Sequence, residues 1–300
     1  MDWVNTAILS AAVMGVVNIV DSHLLSKRMP GLQAFLLPVG IVYLIYGLIC
    51  FILFPLPDGI GIWPLLVAII SGVLRTAAVL IMLDSLRREE VSQVIPVVYA
   101  YPIFVAIMAV PLLGESLNYL QWLAIVIVVA GAVMVSARQN PSGSTSWQYK
   151  PLLLLFGSSL LLAMADVASK YALAHISFWN MFWVSALCMS SIFLLVSIRP
   201  NTVKQLVYMK RRDSAIGLLT FNETLALGGV VLSFWALARG PVSLVSTIVS
   251  SRPMFVLIFA LILSRVSPMF LEWHSGRGTL ALRIISTAMV VGGIAIIHLT

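Results

Sequence analysis

Apolar runs of about 20 residues, each closed by a short polar or turn-forming interval, recur along the whole chain. At a rise of about 1.5 Å per residue, such a run crosses the hydrocarbon core of a bilayer as a helix. The pattern predicts ten spans, roughly 3–24, 32–54, 62–84, 91–112, 119–137, 151–174, 178–198, 214–238, 242–264 and 280–298. Four are complete only if a charge is accepted inside: Arg75 in the third, Asp166 in the sixth, Glu223 in the eighth and Arg252 in the ninth. Splitting each at its charge leaves pieces of about 12–16 residues, too short to cross. The charges are therefore read as intramembrane.

The ninth run, Val242 to Leu263, shows the conflict most sharply, because Arg252 stands near its middle and Pro253 follows at once. A charge there costs roughly 2.5–3.5 kcal/mol on insertion scales and needs a partner, water or a ligand. Pro253 has no N–H for the carbonyl of Val249, which frees a backbone acceptor beside the guanidinium.

This run has a counterpart earlier in the chain. Val91-Ser92-Gln93-Val94 aligns with Val242-Ser243-Leu244-Val245, Tyr101 with Arg252, Pro102 with Pro253 and Phe104 with Phe255, at one constant offset. Earlier parts align as well: Ser22-His23 with Ser169-Lys170, Gln33 with Asn180 and Phe35 with Phe182. The halves are 1–138 and 151–300, joined by a linker over 139–150 that contains Asn140-Pro141-Ser142-Gly143-Ser144. Five spans per half is an odd number, so the second half runs through the membrane in the opposite sense. The fold class is an all-α integral membrane protein, two inverted five-helix repeats around a central cavity.

Composition agrees. The chain is 61% hydrophobic and only 10% charged, where a soluble domain carries about 25% charged residues. The net charge of +7 comes without a basic run interleaved with aromatics, so nucleic acid is excluded as a partner. Lys and Arg instead crowd the loops after the odd-numbered spans, among them Lys27, Arg28, Arg87, Arg88, Lys204 and Lys210 to Arg212. The other side holds only Arg239, with Lys170 nearby. By the positive-inside rule both termini face away from the cytoplasm of a cell membrane. The first residues carry an acid and no basic segment, so the first run is expected to be retained as a span. Cys50 and Cys188 lie inside apolar runs and read as buried free thiols.

Leu112-Leu113-Gly114-Glu115-Ser116-Leu117, then Gln121-Trp122 and Ala130-Gly131-Ala132, resemble the end of a half in the EamA-type drug/metabolite transporter superfamily. Val91-Ser92-Gln93-Val94 and Pro102 fit the same pattern. The resemblance is good over 78–137, weaker over 224–298 and diffuse elsewhere. It implies ten helices in two inverted repeats around a central cavity, and export or uptake of small organic solutes. The second half departs from it, with Ser264-Arg265-Val266 in place of the Gly-Glu pair and an insertion through Glu272 and His274 to Arg277. The charge bias also gives an orientation opposite to the termini-inside one of the family, so transport direction is not carried over.

Each buried charge has a structural and a functional reading. Asp166 and Lys170 lie one turn apart, acid first, and are expected to neutralise each other. Arg75 and Glu223 fall at similar depth on the third spans of the two halves and are expected to pair. The functional alternative makes Glu223 a proton carrier, with Asn222 beside it in either role. Arg252 then lacks an obvious acid. It either reaches Asp166 or the carbonyls freed by Pro253, or binds an anionic group of a solute, since a guanidinium fork matches carboxylate and phosphate. Tyr99 and Tyr101 are expected to line the opposite wall. Ser243, Thr247 and Ser251 form a polar stripe that lines a cavity or bonds back to its own helix, and Asp21, His23 and Asp84 are read as interfacial.

The expected activity is therefore transport by alternating access of a small organic solute carrying a carboxylate or phosphate. Proton coupling, exchange and facilitated diffusion all stay open, as does oligomeric state. The alternative is a flippase for a polyprenyl-phosphate-linked or other lipid head group. An intramembrane enzyme is disfavoured, because His23, His175, His274 and His298 are scattered without metal spacing or a nucleophile–base pattern. No cofactor or metal is called for. A passive channel is a further alternative.

Overall fold

The computed structural model describes residues 2–88, 98–136, 149–209, 212–266 and 277–300, and every regular element among them is helical. The first half holds α1 (Trp3–His23), a π-helical turn (Leu24–Arg28), α2 (Leu32–Leu53), α3 (Ile62–Arg88), α4 (Tyr101–Leu113) and α5 (Tyr119–Ser136). The second holds α6 (Tyr149–Leu173), α7 (Phe178–Ser197), α8 (Pro200–Val207), α9 (Arg212–Arg239), α10 (Val242–Val249), α11 (Arg252–Val266) and α12 (Arg277–Leu299). Seven helical stretches among the described residues are long and apolar enough to cross a membrane. Three shorter apolar helices, Tyr101–Leu113, Tyr119–Met134 and Ile284–Leu299, fall in the remaining expected spans. Val91 to Val94, most of the linker, Glu272 and His274 lie outside the described residues.

Two local features depart from the hydropathy pattern. The expected ninth span is two helices, α10 and α11, separated at Ser250 and Ser251. Pro253 then sits at the second residue of α11, where its missing N–H costs nothing, so the proline begins a helix instead of kinking one. The short α8 is strongly amphipathic, burying Thr202 and Leu206 against α2. Its apolar positions are too few to register as a span.

Helices pack mainly across the two halves: α1 on α9, α3 on α6, α2 on α7, and α5 on α12. Exchanging the halves leaves this pairing unchanged. Small polar residues make the crossings. Ser10 donates to the Gly229 carbonyl (2.8 Å), Ser71 to that of Ala165 (2.9 Å), Ser158 to that of Ala78 (2.9 Å) and Ser190 to that of Gly40 (2.8 Å). Between α5 and α12 the crossing is glycine. A Cβ on Gly131 would meet the Ser286 carbonyl at 2.9 Å, and one on Gly293 would meet the Val128 side chain at 2.5 Å. The order of these contacts makes each pair antiparallel: 40 meets 190 and 54 meets 180, while 131 meets 286–290 and 128 meets 293. The outer surface is apolar, with Ile41, Ile45, Leu48 and Ile52 of α2 exposed while Ser71 and Ser190 are buried. Such an arrangement suits lipid and would be costly in water.

Candidate functional site

Arg75 of α3 reaches across to α6, where its guanidinium donates to Asp166 Oδ1 at 2.8 Å and to Ser169 Oγ at 3.4 Å. The other carboxylate oxygen of Asp166 accepts from Ser246 Oγ on α10. One acid thereby ties three helices. The face of Phe234 lies 5.4 Å from the Arg75 guanidinium carbon and completes the cation's surroundings. The pairings expected from the sequence are corrected accordingly: Arg75 pairs with Asp166, not Glu223, and Asp166 does not neutralise Lys170. Span order gave depth along a helix but not rotation about it, and α3 presents Arg75 to α6.

Lys170, one turn beyond Asp166, extends toward the end of α9. Its ammonium donates to the carbonyls of Leu237 and Gly240, both at 2.8 Å, at a helix C-terminus where a cation is favoured. Directly opposite, Glu115 accepts from the backbone N–H of Val242 and from the N–H and hydroxyl of Ser243, capping the N-terminus of α10. Gly114 makes this possible. It ends α4 in the left-handed conformation (φ 68°), turning the chain so that Glu115 meets the other half. The Gly-Glu pair is thus a clamp on the Arg239-Gly240-Pro241 turn, a role the sequence reading did not assign to Glu115.

Arg252 begins α11 and is half-buried beside a void lined by Arg75, Tyr101, Asp166, Ser233, Leu237, Val245, Ser246 and Val249. The void measures about 10 Å³, room for one water-sized group. Among the described residues no carboxylate lies within ion-pair distance of Arg252, and its buried Nε has no hydrogen-bond partner. Asp166 faces the same void but is held by Arg75 and Ser246, so the expected structural pairing of Arg252 with Asp166 is not formed. Two guanidiniums and one carboxylate leave the void with an excess positive charge, to which the N-terminus of α11 adds its own partial charge.

Tyr101 lines the void and donates to the Ser246 carbonyl (3.3 Å), while Tyr99 accepts from Asn18 of α1 (3.1 Å). Glu223 and Asn222 lie elsewhere, between α9 and α1, where Asn222 donates to Asp21 at 2.7 Å. Asp21, partly exposed, is thereby bonded to α9. The hydroxyl stripe of α10 bonds mostly to its own chain: Thr247 to the Ser243 carbonyl (2.7 Å) and Ser251 to that of Ile248 (2.6 Å). Ser246, between them, is the residue that reaches the site.

A model of the EamA-like transporter family matches this chain twice, over residues 2–137 and 149–298. Among curated proteins nothing matches. A crystal structure of a protein with 17% sequence identity superposes with a TM-score of 0.69, covering 99% of this chain and 95% of its own, a likeness of fold.

Proposed function

This chain belongs to the EamA-like transporter family, and we propose that it moves a small organic anion or zwitterion across the membrane by alternating access. At the coarse level it is a multi-pass membrane transporter of the drug/metabolite type. The finer reading has ten spans in two halves, 1–138 and 151–300, inserted in opposite senses. The antiparallel packing of α2 on α7 and of α5 on α12, each pair occupying equivalent places in the repeat, supports it. The one-sided distribution of loop Lys and Arg supports both termini lying outside the cytoplasm.

The observation that carries the substrate class is Arg252, a guanidinium at a helix break with no acid within ion-pair distance among the described residues. Its fork binds the carboxylate or phosphate of the solute. Arg75, anchored by Asp166, adds a second positive charge, and Tyr101 shapes the wall. Binding draws on the electrostatic excess of the void, and α10 and α11 move against each other at Ser250-Ser251 to enlarge it. The void holds one water-sized group here, so a solute needs that enlargement to enter.

A thermal-shift screen of small carboxylates and phosphates on purified protein tests this. Wild type is expected to be stabilised by at least one anion, and Arg252→Gln to weaken that binding roughly 10- to 150-fold while remaining folded, as loss of a charged hydrogen-bond pair implies. A folded Arg252→Gln variant that keeps the anion-dependent shift overturns the assignment. Translocation of lipid-linked sugars in proteoliposomes, with no response to soluble anions, identifies the flippase alternative.

A further inference from the structure

A second polar centre lies between α1 and α9, and its character is opposite to that of the Arg252 void. Asn222 Nδ2 donates to Asp21 Oδ1 at 2.7 Å, and adjacent Glu223, only 4% exposed, lies within electrostatic reach of Asp21. The Asn222 carboxamide oxygen has no hydrogen-bond partner, although the side chain is 1% exposed. It belongs to the same planar amide as the nitrogen on Asp21 and is an unused acceptor next to that bond. With the carboxylates ionised, turning the amide over would set an acceptor against an acceptor, so the nitrogen faces Asp21.

The cluster is thus two carboxylates and an amide oxygen, acceptors supplied with one donated N–H. The elements around it bring no compensating cation. The π turn carries Lys27 and Arg28, with His23 just before it bonded to Arg28 (3.4 Å). The helix α2 presents Tyr43 and Tyr46, the latter bonded to Thr224, while α7 and α10 contribute no charge. On α6, Asp166 is held by Arg75 and Lys170 by the α9 carbonyls. Arg252 of α11 lines the other centre. Among the described residues none of these forms an ion pair with Asp21 or Glu223. A hard metal ion wants six or more oxygens, whereas a proton needs only two acceptors.

We propose that Asp21, Asn222 and Glu223 form a proton-binding site separate from the Arg252 centre. Hydronium delivers a proton to one carboxylate and leaves as water. The new O–H then donates to the second carboxylate or to Asn222 Oδ1, and the pair loses one negative charge.

Infrared difference spectra of the full-length protein in lipid nanodiscs, titrated with pH in choline chloride and in sodium chloride, test the site. A protonated-carboxyl band is expected on acidification, equal in both salts and shifted when either Asp or Glu carries heavy carbon in its carboxyl. It is expected to be lost in Asp21→Asn/Glu223→Gln. Should that variant not fold, Asn222→Ala keeps both carboxyls and shifts the band frequency. A wild type without the band, a band that survives the double variant or ignores Asn222→Ala, or one abolished by sodium overturns the proposal. Arg252→Gln is expected to retain the band, so failure of the anion site and failure of the proton site are read separately.

Discussion

Two helices restart at equivalent points of the repeat, α4 at Tyr101-Pro102 and α11 at Arg252-Pro253. The same backbone bond closes each first turn, from Ile103 to the Ala100 carbonyl (3.2 Å) and from Met254 to that of Ser251 (2.9 Å). The backbone is alike and the chemistry is not. Tyr101 spends its hydroxyl on the opposite half, whereas Arg252 brings a charge that no acid answers among the described residues. The clamp is equally one-sided: Glu115 caps α10, and the second half has Val266 at the repeat-equivalent of that acid. Symmetry supplies two equivalent helix starts, and the sequence differences load the second with a cap, a tether to Asp166 and a guanidinium that no acid pairs among the described residues.

The largest effect is expected where that asymmetry is balanced. Asp166→Ala leaves Arg75, whose side chain is 19% exposed, and Arg252 facing one void with no acid between them. Removing one member of a buried pair costs about 3–5 kcal/mol, so the variant should unfold at markedly lower temperature or denaturant. Asp166→Asn keeps the bond to Ser246 and should lose less. An Asp166→Ala protein as stable as wild type would mean that the tie carries no weight.

A smaller effect is expected at the clamp. Glu115→Gln keeps the shape of the cap and removes its charge from the α10 N-terminus, a loss of about 1–2 kcal/mol when capping and helix-dipole terms are combined. Hydrogen exchange should speed up at the Val242 and Ser243 amides more than at α4. Uniform exchange at α4 and α10 would dissolve the distinction between the halves.

How far the sequence disclosed this arrangement follows from what periodicity can carry. Length and hydropathy predict the helices, and the match of Pro102 to Pro253 reveals the repeat, because both are one-dimensional signals. The partners of the buried charges were not legible. Arg75 finds Asp166 because α3 packs on α6, and Lys170 finds the end of α9 because its stem is long enough to reach a helix terminus. Both depend on rotation about helix axes, which uniformly apolar spans leave unmarked. Arg252 was legible for the opposite reason: a charge beside a proline in hydrocarbon stands out whatever surrounds it. The bond between Asp21 and Asn222 was not legible either, because it depends on the packing of α1 on α9.

The smallest expected effect is at the equivalent of Arg252. Tyr101→Phe removes one bond to the Ser246 carbonyl, an acceptor that the Ser250 N–H also satisfies within the chain at 2.9 Å. No buried acceptor is orphaned, so the loss should sit at the low end for a neutral bond, about 0.5 kcal/mol by denaturant unfolding. The anion-dependent thermal shift should persist, because the charge that reads the anion stays in place. A folded Tyr101→Phe protein that no longer responds to anions would make the phenol part of the binding contact, and the two breaks would then share one solute instead of dividing structure from recognition.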